Sequence, residues 1–563
     1  MVSIEILFAV TVFPGNIPCL LRILSGLFIA IGKKMSTHMV FKIVRQGCRK
    51  LHRPAGRTFC SSSHGNRDIF NIPLSQPLPG LPPLKYASKT DHQTETEVTV
   101  LENGMRVATE NKFGQYSTVG VVINSGSRYE VAYPSGISHF LEKLAFNSTT
   151  QFANKDVILQ ELEKHGGICD CQSSRDTLIY AMNVETEGLP SVLNILSEVI
   201  YRPNILPEEL TDAKMAIQYQ NEFQVLDPNP DPILMEMIHA AAYRGNTLGL
   251  PHRCPPEYID KISKNILYSY MKNFHTANRM VLAGVGMDHK YLVALAKEFF
   301  ITKNKPIWLE QQHLIDEKKS VDDSISQYTG GKVQVEKDLS SVSLGPTPMP
   351  ELAHIVIGLE SSSHKDEDFI PYCVLNMLMG GGGSFSSGGP GKGMYTRLYL
   401  NVLNRFHWIH NATCYNHAYE DSGVFCIHAS CHPDQLSELV DVIVRELINT
   451  ATAPEEIELN RAKTQLQSML LMNLESRPVV FEDIGRQVLS NGHRKKPEYY
   501  YDMIGKVTSK DIQRVAKRML RSKLSLAAYG SLANLPDYEN IQNSLLGKHN
   551  GKIKKFGFFS LSN

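Results

Sequence analysis

The residues best placed to do chemistry lie in the run Pro134-Ser-Gly-Ile-Ser-His139-Phe-Leu-Glu142-Lys143-Leu-Ala-Phe-Asn147. On a helix, positions 139 and 143 stand one turn apart on one face, with 142 beside them. That is where the pattern H-x-x-E-H would place two imidazoles for zinc and a glutamate to activate water. Here the second imidazole is Lys143, whose ammonium has no lone pair and repels a cation. A third ligand would come from the helix after Glu208-Glu209, and there Gln220 sits about where a carboxylate is wanted. A neutral amide oxygen is a poor zinc ligand, and Glu222 would serve only with a change of helical register. His139, Glu142, Lys143 and Gln220 therefore read as a degenerate zinc motif. No catalytic residue and no metal-ligand set is assigned to this chain, and His139 and Glu142 are expected to be held by hydrogen bonds or ion pairing with Lys143.

A second segment is rich in backbone rather than in side-chain chemistry. Eight glycines fall in the fourteen positions from 380 to 393: Gly380, Gly381, Gly382, Gly383, Gly388, Gly389, Gly391 and Gly393, with Lys392 among them. Glycine reaches φ > 0 and lets a backbone approach another chain closely, so the spacing predicts a loop between a helix ending near Met379 and one starting at about Met394. A phosphate-binding loop is excluded, because G-x-x-x-x-G-K-[ST] needs Gly at 386 and Ser or Thr at 393, where the chain has Ser386 and Gly393. A loop this long is costly to order unless it is used, a flexible connector being the plainer reading. Glu360 and Asp366-Glu367-Asp368 lie just upstream as candidates for attracting a basic ligand, or as an ordinary solvated helix start.

The elements that must position these residues recur in the sequence. Ser174-Arg-Asp-Thr feeds an apolar strand and then a helical pattern at Leu189, Val192, Leu193, Leu196 and Ile200. Tyr419-Glu-Asp-Ser-Gly423 leads in the same way to Leu436, Leu439, Val440, Ile443 and Leu447. Each half continues with an acidic helix start, Pro207-Glu-Glu209 and Pro454-Glu-Glu456, and closes on a strand ending in glycine, at Gly286 and Gly530. One α+β unit is thus used twice, at 98–300 and 345–545. Between them, 301–344 reads as a linker whose Lys332-Val-Gln-Val-Glu336 looks like an edge strand of the second unit, and whose middle, 316–331, is expected to be exposed.

The 563 residues are too many for one core and their composition is that of a globular protein, with 42% hydrophobic and 20% charged residues. A net charge of +1 gives no global field to draw in nucleic acid, so no nucleic-acid partner is assigned. The balance conceals an asymmetry: residues 1–67 hold ten Lys and Arg and one acid, Glu5, leaving a mildly acidic body. Residues 35–63 have the Arg- and Ser-containing, acid-free, amphipathic composition of a mitochondrial transit peptide. Residues 6–21 are apolar but broken by Pro14, Asn16 and Pro18, a poor membrane span. Ten cysteines without a dense framework argue against export, and Cys169 with Cys171 is too weak a pair for a metal site. Translation from Met1, Met35 or Met39 is compatible with the sequence. Residues 1–66 are read as extension and transit peptide, 67–97 as a proline-rich arm, and 546–563 as a tail.

Ser138 to Phe146, Glu163-Lys-His-Gly-Gly-Ile-Cys-Asp-Cys-Gln172, Ala242-Tyr-Arg-Gly-Asn-Thr-Leu-Gly249, Asn473-Leu-Glu-Ser-Arg-Pro478 and the run from Met379 to Leu400 resemble the alpha subunits of the mitochondrial processing peptidases, in the pitrilysin-like zinc peptidase family. The resemblance covers about residues 70–550. It implies two homologous α/β-sandwich domains, each a mixed sheet with helices packed on it, of the pitrilysin and LuxS-like type. It implies a non-catalytic, substrate-recognising chain in the mitochondrial matrix, peripheral association with the inner membrane being an option. The partner would be a beta subunit that carries the zinc, leaving no cofactor in this chain, and the substrates would be presequences of imported precursors, held by the glycine-rich loop. The resemblance also makes Arg57-Thr-Phe59 before Cys60-Ser61 read as a processing site, with a mature start near residue 60. Two other readings share the fold: a structural core subunit of the mitochondrial cytochrome reductase, for which a long glycine loop is not expected, and a self-sufficient zinc peptidase, which the broken motif disfavours.

Overall fold

The two families of apolar runs become two six-stranded sheets. The computed structural model describes residues 95–112, 114–227, 229–316, 321–339, 351–383 and 394–547. The extension and transit segment, most of the proline-rich arm, residues 384–393 with Gly388, Gly389, Gly391, Lys392 and Gly393, and the tail from 548 lie outside the described residues.

The first sheet is built from β1 (Glu97–Val100), β2 (Arg106–Glu110), β3 (Tyr116–Ile123), β4 (Ile168–Ser173), β5 (Leu178–Glu185) and β6 (Met280–Val285), in the order β1-β2-β6-β3-β5-β4. The second contains β7 (Gly331–Glu336), β8 (Ala353–Ser361), β9 (Gly381–Gly383), β10 (Ile409–Ala418), β11 (Gly423–Cys431) and β12 (Ser525–Gly530), in the order β7-β12-β8-β11-β10-β9. Five strands of each sheet correspond in order and direction: β2 with β7, β6 with β12, β3 with β8, β5 with β11, and β4 with β10. In both, one pair is parallel, β2 with β6 and β7 with β12, and the rest are antiparallel. The duplication read in the sequence is therefore a duplication of topology. What differs is one added edge strand, β1 on the first sheet and the all-glycine β9 at the opposite edge of the second.

Eight helices form four corresponding pairs. They are α1 (Ile137–Leu144), α2 (Leu189–Tyr201), α3 (Pro207–Leu226) and α4 (Asp231–Tyr243) in the first half, and α5 (Phe369–Met379), α6 (Leu436–Asn449), α7 (Glu456–Asn473) and α8 (Arg477–Asn491) in the second. Leu189, Val192, Leu193, Leu196 and Ile200 of α2 are all buried, as are the five positions picked out on α6. Each such side chain contributes about 1.5–3 kcal/mol on leaving water. At the start of α3 the Glu209 carboxylate accepts from the Leu206 and Ser148 amides at 2.9 and 2.7 Å, which closes the helix end by a side chain three residues along.

The fourth pair exchanges places. Helix α4 packs on β12, β7 and β8 of the second sheet, burying Leu234, Ile238 and Ala242 against Val356, Val424 and Ala527. Helix α8 packs on β6, β3 and β2 of the first, burying Val480, Phe481, Ile484 and Val488 against Ala108, Val122, Val281 and Ala283. The close approach is made at matching glycines. A Cβ on Gly120 in β3 would stand 2.7 Å from the Phe481 ring, and one on Gly358 in β8 would stand 3.1 Å from Ile238. Each sheet thus has one cover from its own half and one from the other.

The linker is less open than its composition suggests. Lys332 to Glu336 does form the edge strand β7, but only part of its upstream stretch is exposed. Ile325 is 73% exposed, whereas Ser326 is buried against the Arg128 guanidinium, and the Tyr328 hydroxyl lies 2.7 Å from Ser525 Oγ. Buried polar partners outweigh hydrophilic composition here. Among the described residues no helix is long and apolar enough to cross a membrane.

Candidate functional site

Helix α1 is held from below by a buried carboxylate. Glu130 accepts from the Gly136 amide at 2.5 Å and from the Ser138 amide and hydroxyl at 2.7 and 2.5 Å, next to Gly136 at φ 107°. Burial pushes its pKa up to about 7, although these donors favour the anion. Fixed in this way, α1 turns His139 toward α3 and Glu142 toward β4.

His139 is buried and fully engaged. Its Nδ1 accepts from the Cys254 amide at 3.2 Å, which leaves the proton on Nε2, 3.1 Å from Gln220 Oε1. Burial, aided by the Lys143 charge and opposed by Glu142, lowers its pKa to about 4, so the ring is neutral at pH 7. Glu142 Oε2 accepts from the Ser173 amide and hydroxyl at 3.1 and 2.6 Å, and Oε1 accepts from Lys143 Nζ at 2.9 Å. Burial opposes its ionisation, but Ser173 and Lys143 prevail and hold its pKa below the ordinary value. Gln220, not Glu222, faces His139; Glu222 is exposed on the outer side of α3.

The glycine segment begins as structure rather than as loop. After α5 the chain turns at Gly380 (φ 55°), whose carbonyl accepts from the Cys414 amide at 2.9 Å, and Gly381 to Gly383 pair with Thr413 to Asn411 of β10. Gly381 has φ 101°, and a Cβ there would stand 2.0 Å from the Ala412 carbonyl oxygen, so only glycine fits. Beyond the undescribed stretch, helical backbone resumes at Leu398 rather than at about Met394; Thr396 is first used to accept from the Gly381 amide at 3.2 Å. The upstream acids are mostly committed. Asp366 and Asp368 both accept from Arg518 at 3.1 Å, and Asp368 also pairs with Arg514, while Glu360 and Glu367 remain exposed. Asp366 and Asp368 therefore anchor the start of α5 instead of offering free charge.

Comparison with known proteins places this geometry. The family model described as Insulinase (Peptidase family M16) matches residues 106–256, and that of the Peptidase M16 inactive domain matches 261–466. The chain is 54% identical to the mitochondrial-processing peptidase subunit alpha of Homo sapiens over 505 residues, 89% of this chain and 94% of that one. This chain belongs to the mitochondrial-processing peptidase alpha-subunit family, within peptidase family M16. Members from Caenorhabditis elegans and Solanum tuberosum are 42% and 32% identical, over 87% and 85% of this chain and 96% and 89% of theirs. In fold it is similar to a chain of a solved structure of Complex III2 from Candida albicans, with a TM-score of 0.64 and 18% identity over 80% of this chain and 99% of that one.

In this alpha-subunit chain the donor set does not fit zinc. A tetrahedral site needs His139 Nε2 as a lone pair, yet that nitrogen carries the proton directed at Gln220, because Nδ1 is already taken by a backbone amide. The remaining positions offer an amide oxygen and an ammonium. Among the described residues no group of three or more His, Cys, Asp or Glu could hold a metal ion. Cys169 and Cys171 share the inward face of β4, where burial raises the Cys169 thiol to about 11 and Cys171 further, making both poor thiolates. What the arrangement can do is tie α1 to α3 and to β4 through a charge-balanced, hydrogen-bonded network.

Ser173, His252 and Cys254 complete this network and carry no signal in the sequence. His252 Nε2 lies 2.9 Å from the Ser173 carbonyl oxygen, and its amide donates to Glu236 at 2.9 Å. They come from β4 and from the segment after Pro251, and no spacing relates them to His139; only the tertiary fold does.

Proposed function

We propose that this chain is the non-catalytic, substrate-recognising subunit of a mitochondrial matrix metalloendopeptidase. In this reading a beta-type M16 subunit supplies the zinc and performs the cleavage. The present chain holds the basic presequences of imported precursors, using Gly380 to Gly383 and the glycines of 384–393 with Lys392. The observation that carries it is the pair Lys143 and Gln220, which keep the motif's helix and neighbours while removing its ability to ligate. The glycine strand β9 supports the recognition role. It lies at the edge of its sheet, without side chains, so its backbone groups offer an approachable edge to another peptide.

The test is to purify the chain alone and with a beta-type partner. The expected result is zinc-dependent removal of a presequence by the pair and none by the chain alone; zinc-dependent cleavage by the isolated chain would overturn the reading. Deleting 380–393 is expected to weaken presequence binding and turnover while leaving assembly intact.

The likeness to a Complex III2 chain supports a second reading as a respiratory-complex core subunit, but 18% identity there against 54% to a processing-peptidase alpha subunit favours the first. Co-purification separates them, a soluble heterodimer against a haem-containing membrane complex.

A further inference from the structure

Helix α3 presents an outward face that nothing described covers. Met215, Tyr219 and Phe223 follow one another at four-residue spacing and are 54%, 71% and 52% exposed, a stripe of large side chains along one side of the helix. Glu208, Asp212 and Glu222 share that face and are exposed, and among the described residues none of the three is ion-paired. The helix has one base, Lys214, and it points away to Asp260 at 3.3 Å. The face is therefore aromatic, thioether and anionic, without a cation. Phe223 stands three residues beyond Gln220, so one end of the face lies one helical turn from the degenerate motif.

The fold does not require this surface. Its counterpart in the second half, α7, has the same place in the repeat, yet the middle of its outer face is Asn460, Arg461, Thr464 and Ser468, and Arg461 lies over the Tyr395 ring at 5.5 Å. Duplication supplied two equivalent helices: α7 also exposes large apolar side chains, Ile457 at 75%, Leu471 at 44% and Met472 at 62%, but these sit near its two ends with Arg461 and polar residues between them, whereas on α3 they form one continuous stripe among carboxylates.

We infer that the outward face of α3 is a docking surface for a cationic amphipathic helix, whose apolar side lies along Met215, Tyr219 and Phe223 and whose Lys and Arg meet Glu208, Asp212 and Glu222. Charge complementarity selects this occupant, since a neutral or acidic helix would leave three carboxylates unpaired against its polar side. The inference rests on the reading that the chain handles presequences, and it adds a site apart from the glycine segment. It makes recognition two-sided: an extended part of the ligand on the glycine edge and a helical part on α3.

The test uses the full chain and a fluorescent synthetic peptide of residues 39–59 of this same sequence, Met39 to Phe59, which carries six Lys and Arg and no acid. Binding is followed by anisotropy at low and at physiological salt. The variant Met215→Ser/Tyr219→Ser/Phe223→Ser, all at exposed positions, is expected to bind about tenfold more weakly, a loss of about 1.4 kcal/mol. The variant Glu208→Gln/Asp212→Asn/Glu222→Gln is expected to weaken binding at low salt and flatten its salt dependence. Ile457→Ser/Leu471→Ser on α7 is expected to stay within about twofold. Unchanged affinity in both α3 variants, with loss on removing the glycine segment, would overturn the α3 site and leave the presequence reading standing. No binding by the unmodified chain would overturn both. Normal peptide binding with failed assembly with a beta-type subunit would make the face a subunit contact and overturn the inference.

Discussion

Asp176 and Asp421 occupy corresponding turns, each two residues before its strand, and both accept from the same nitrogen, Nη1 of Arg128, at 3.0 Å. The two copies of the unit therefore meet at their own duplicated turn. Arg128 is 6% exposed, and its other arm reaches Ser326 of the linker at 3.0 Å. One guanidinium ties the first half, the second half and the segment between them.

Removing that guanidinium leaves the buried Asp176 and the partly buried Asp421 carboxylates without their shared cation. Arg128→Met is expected to lower stability by about 3–5 kcal/mol in urea titrations, with part recovered on adding Asp176→Asn and Asp421→Asn. Arg514→Ala, which breaks a pair whose arginine is half exposed, is expected to cost under about 1 kcal/mol. Equal losses at the two sites would show that burial is not what gives the first its weight.

The degenerate site keeps its geometry after losing its chemistry. His139 Nε2 and Gln220 Oε1 are 3.1 Å apart, close to the separation of about 3.4 Å between two donors on a tetrahedral zinc. Lys143→His with Gln220→Glu is expected to give a chain that binds one zinc, at the cost of turning the Cys254 amide off His139 Nδ1 so that the proton moves there and frees Nε2, measured by metal analysis after dialysis. Each single variant is expected to bind at least about tenfold more weakly. Failure of the double variant would mean that α1 or α3 has moved as well as mutated.

Acid should weaken the body earlier than carboxylate titration alone predicts. Burial lowers His275 to about 4, burial beside the His428 ring lowers His354 to about 3, and burial beside the Arg175 guanidinium lowers His417 to about 3. In the unfolded chain these rings protonate near 6.5, in the folded chain only near those lower values. Stability is thus lost as pH falls below 6.5, by about 1.4 kcal/mol per pH unit for each ring. Unfolding free energies measured from pH 7.5 to 4.5 should show this slope, and His417→Phe should reduce it by about one proton.

At the glycine edge, Gly381→Val meets both a left-handed φ and a carbonyl oxygen. It is expected to release β9 from β10 at a local cost of about 1–3 kcal/mol, seen as faster hydrogen exchange at Cys414, whose amide is held by the Gly380 carbonyl, with the unfolding midpoint little changed. Retained protection there would show that the strand tolerates the change.

Much of this was legible in the residues, and what was not has a common cause. Helical spacing at Leu189 to Ile200 and at Leu436 to Leu447, and the glycines closing β6 and β12, gave the repeated unit because local periodicity encodes local structure. Lys143 was readable because a ligand motif has fixed spacing on one helix. The exchange of α4 and α8 was not readable, since an apolar stripe says that a helix is covered and not by which sheet. Ser173, His252 and Cys254 were missed for the same reason, and so was Ser326, a polar residue buried by an arginine almost 200 positions away.

The exchange of helices also sets an order of events as the chain forms. The face of β2, β3 and β6 that receives α8 stays bare until residues 477–491 exist, and Arg106 waits on the Val488 carbonyl, 382 positions later. An N-terminal fragment, however complete its own strands, keeps an apolar sheet surface open to association with other chains. A protein that must enter its compartment threaded from one end would therefore need its leading half sheltered until the last third has arrived.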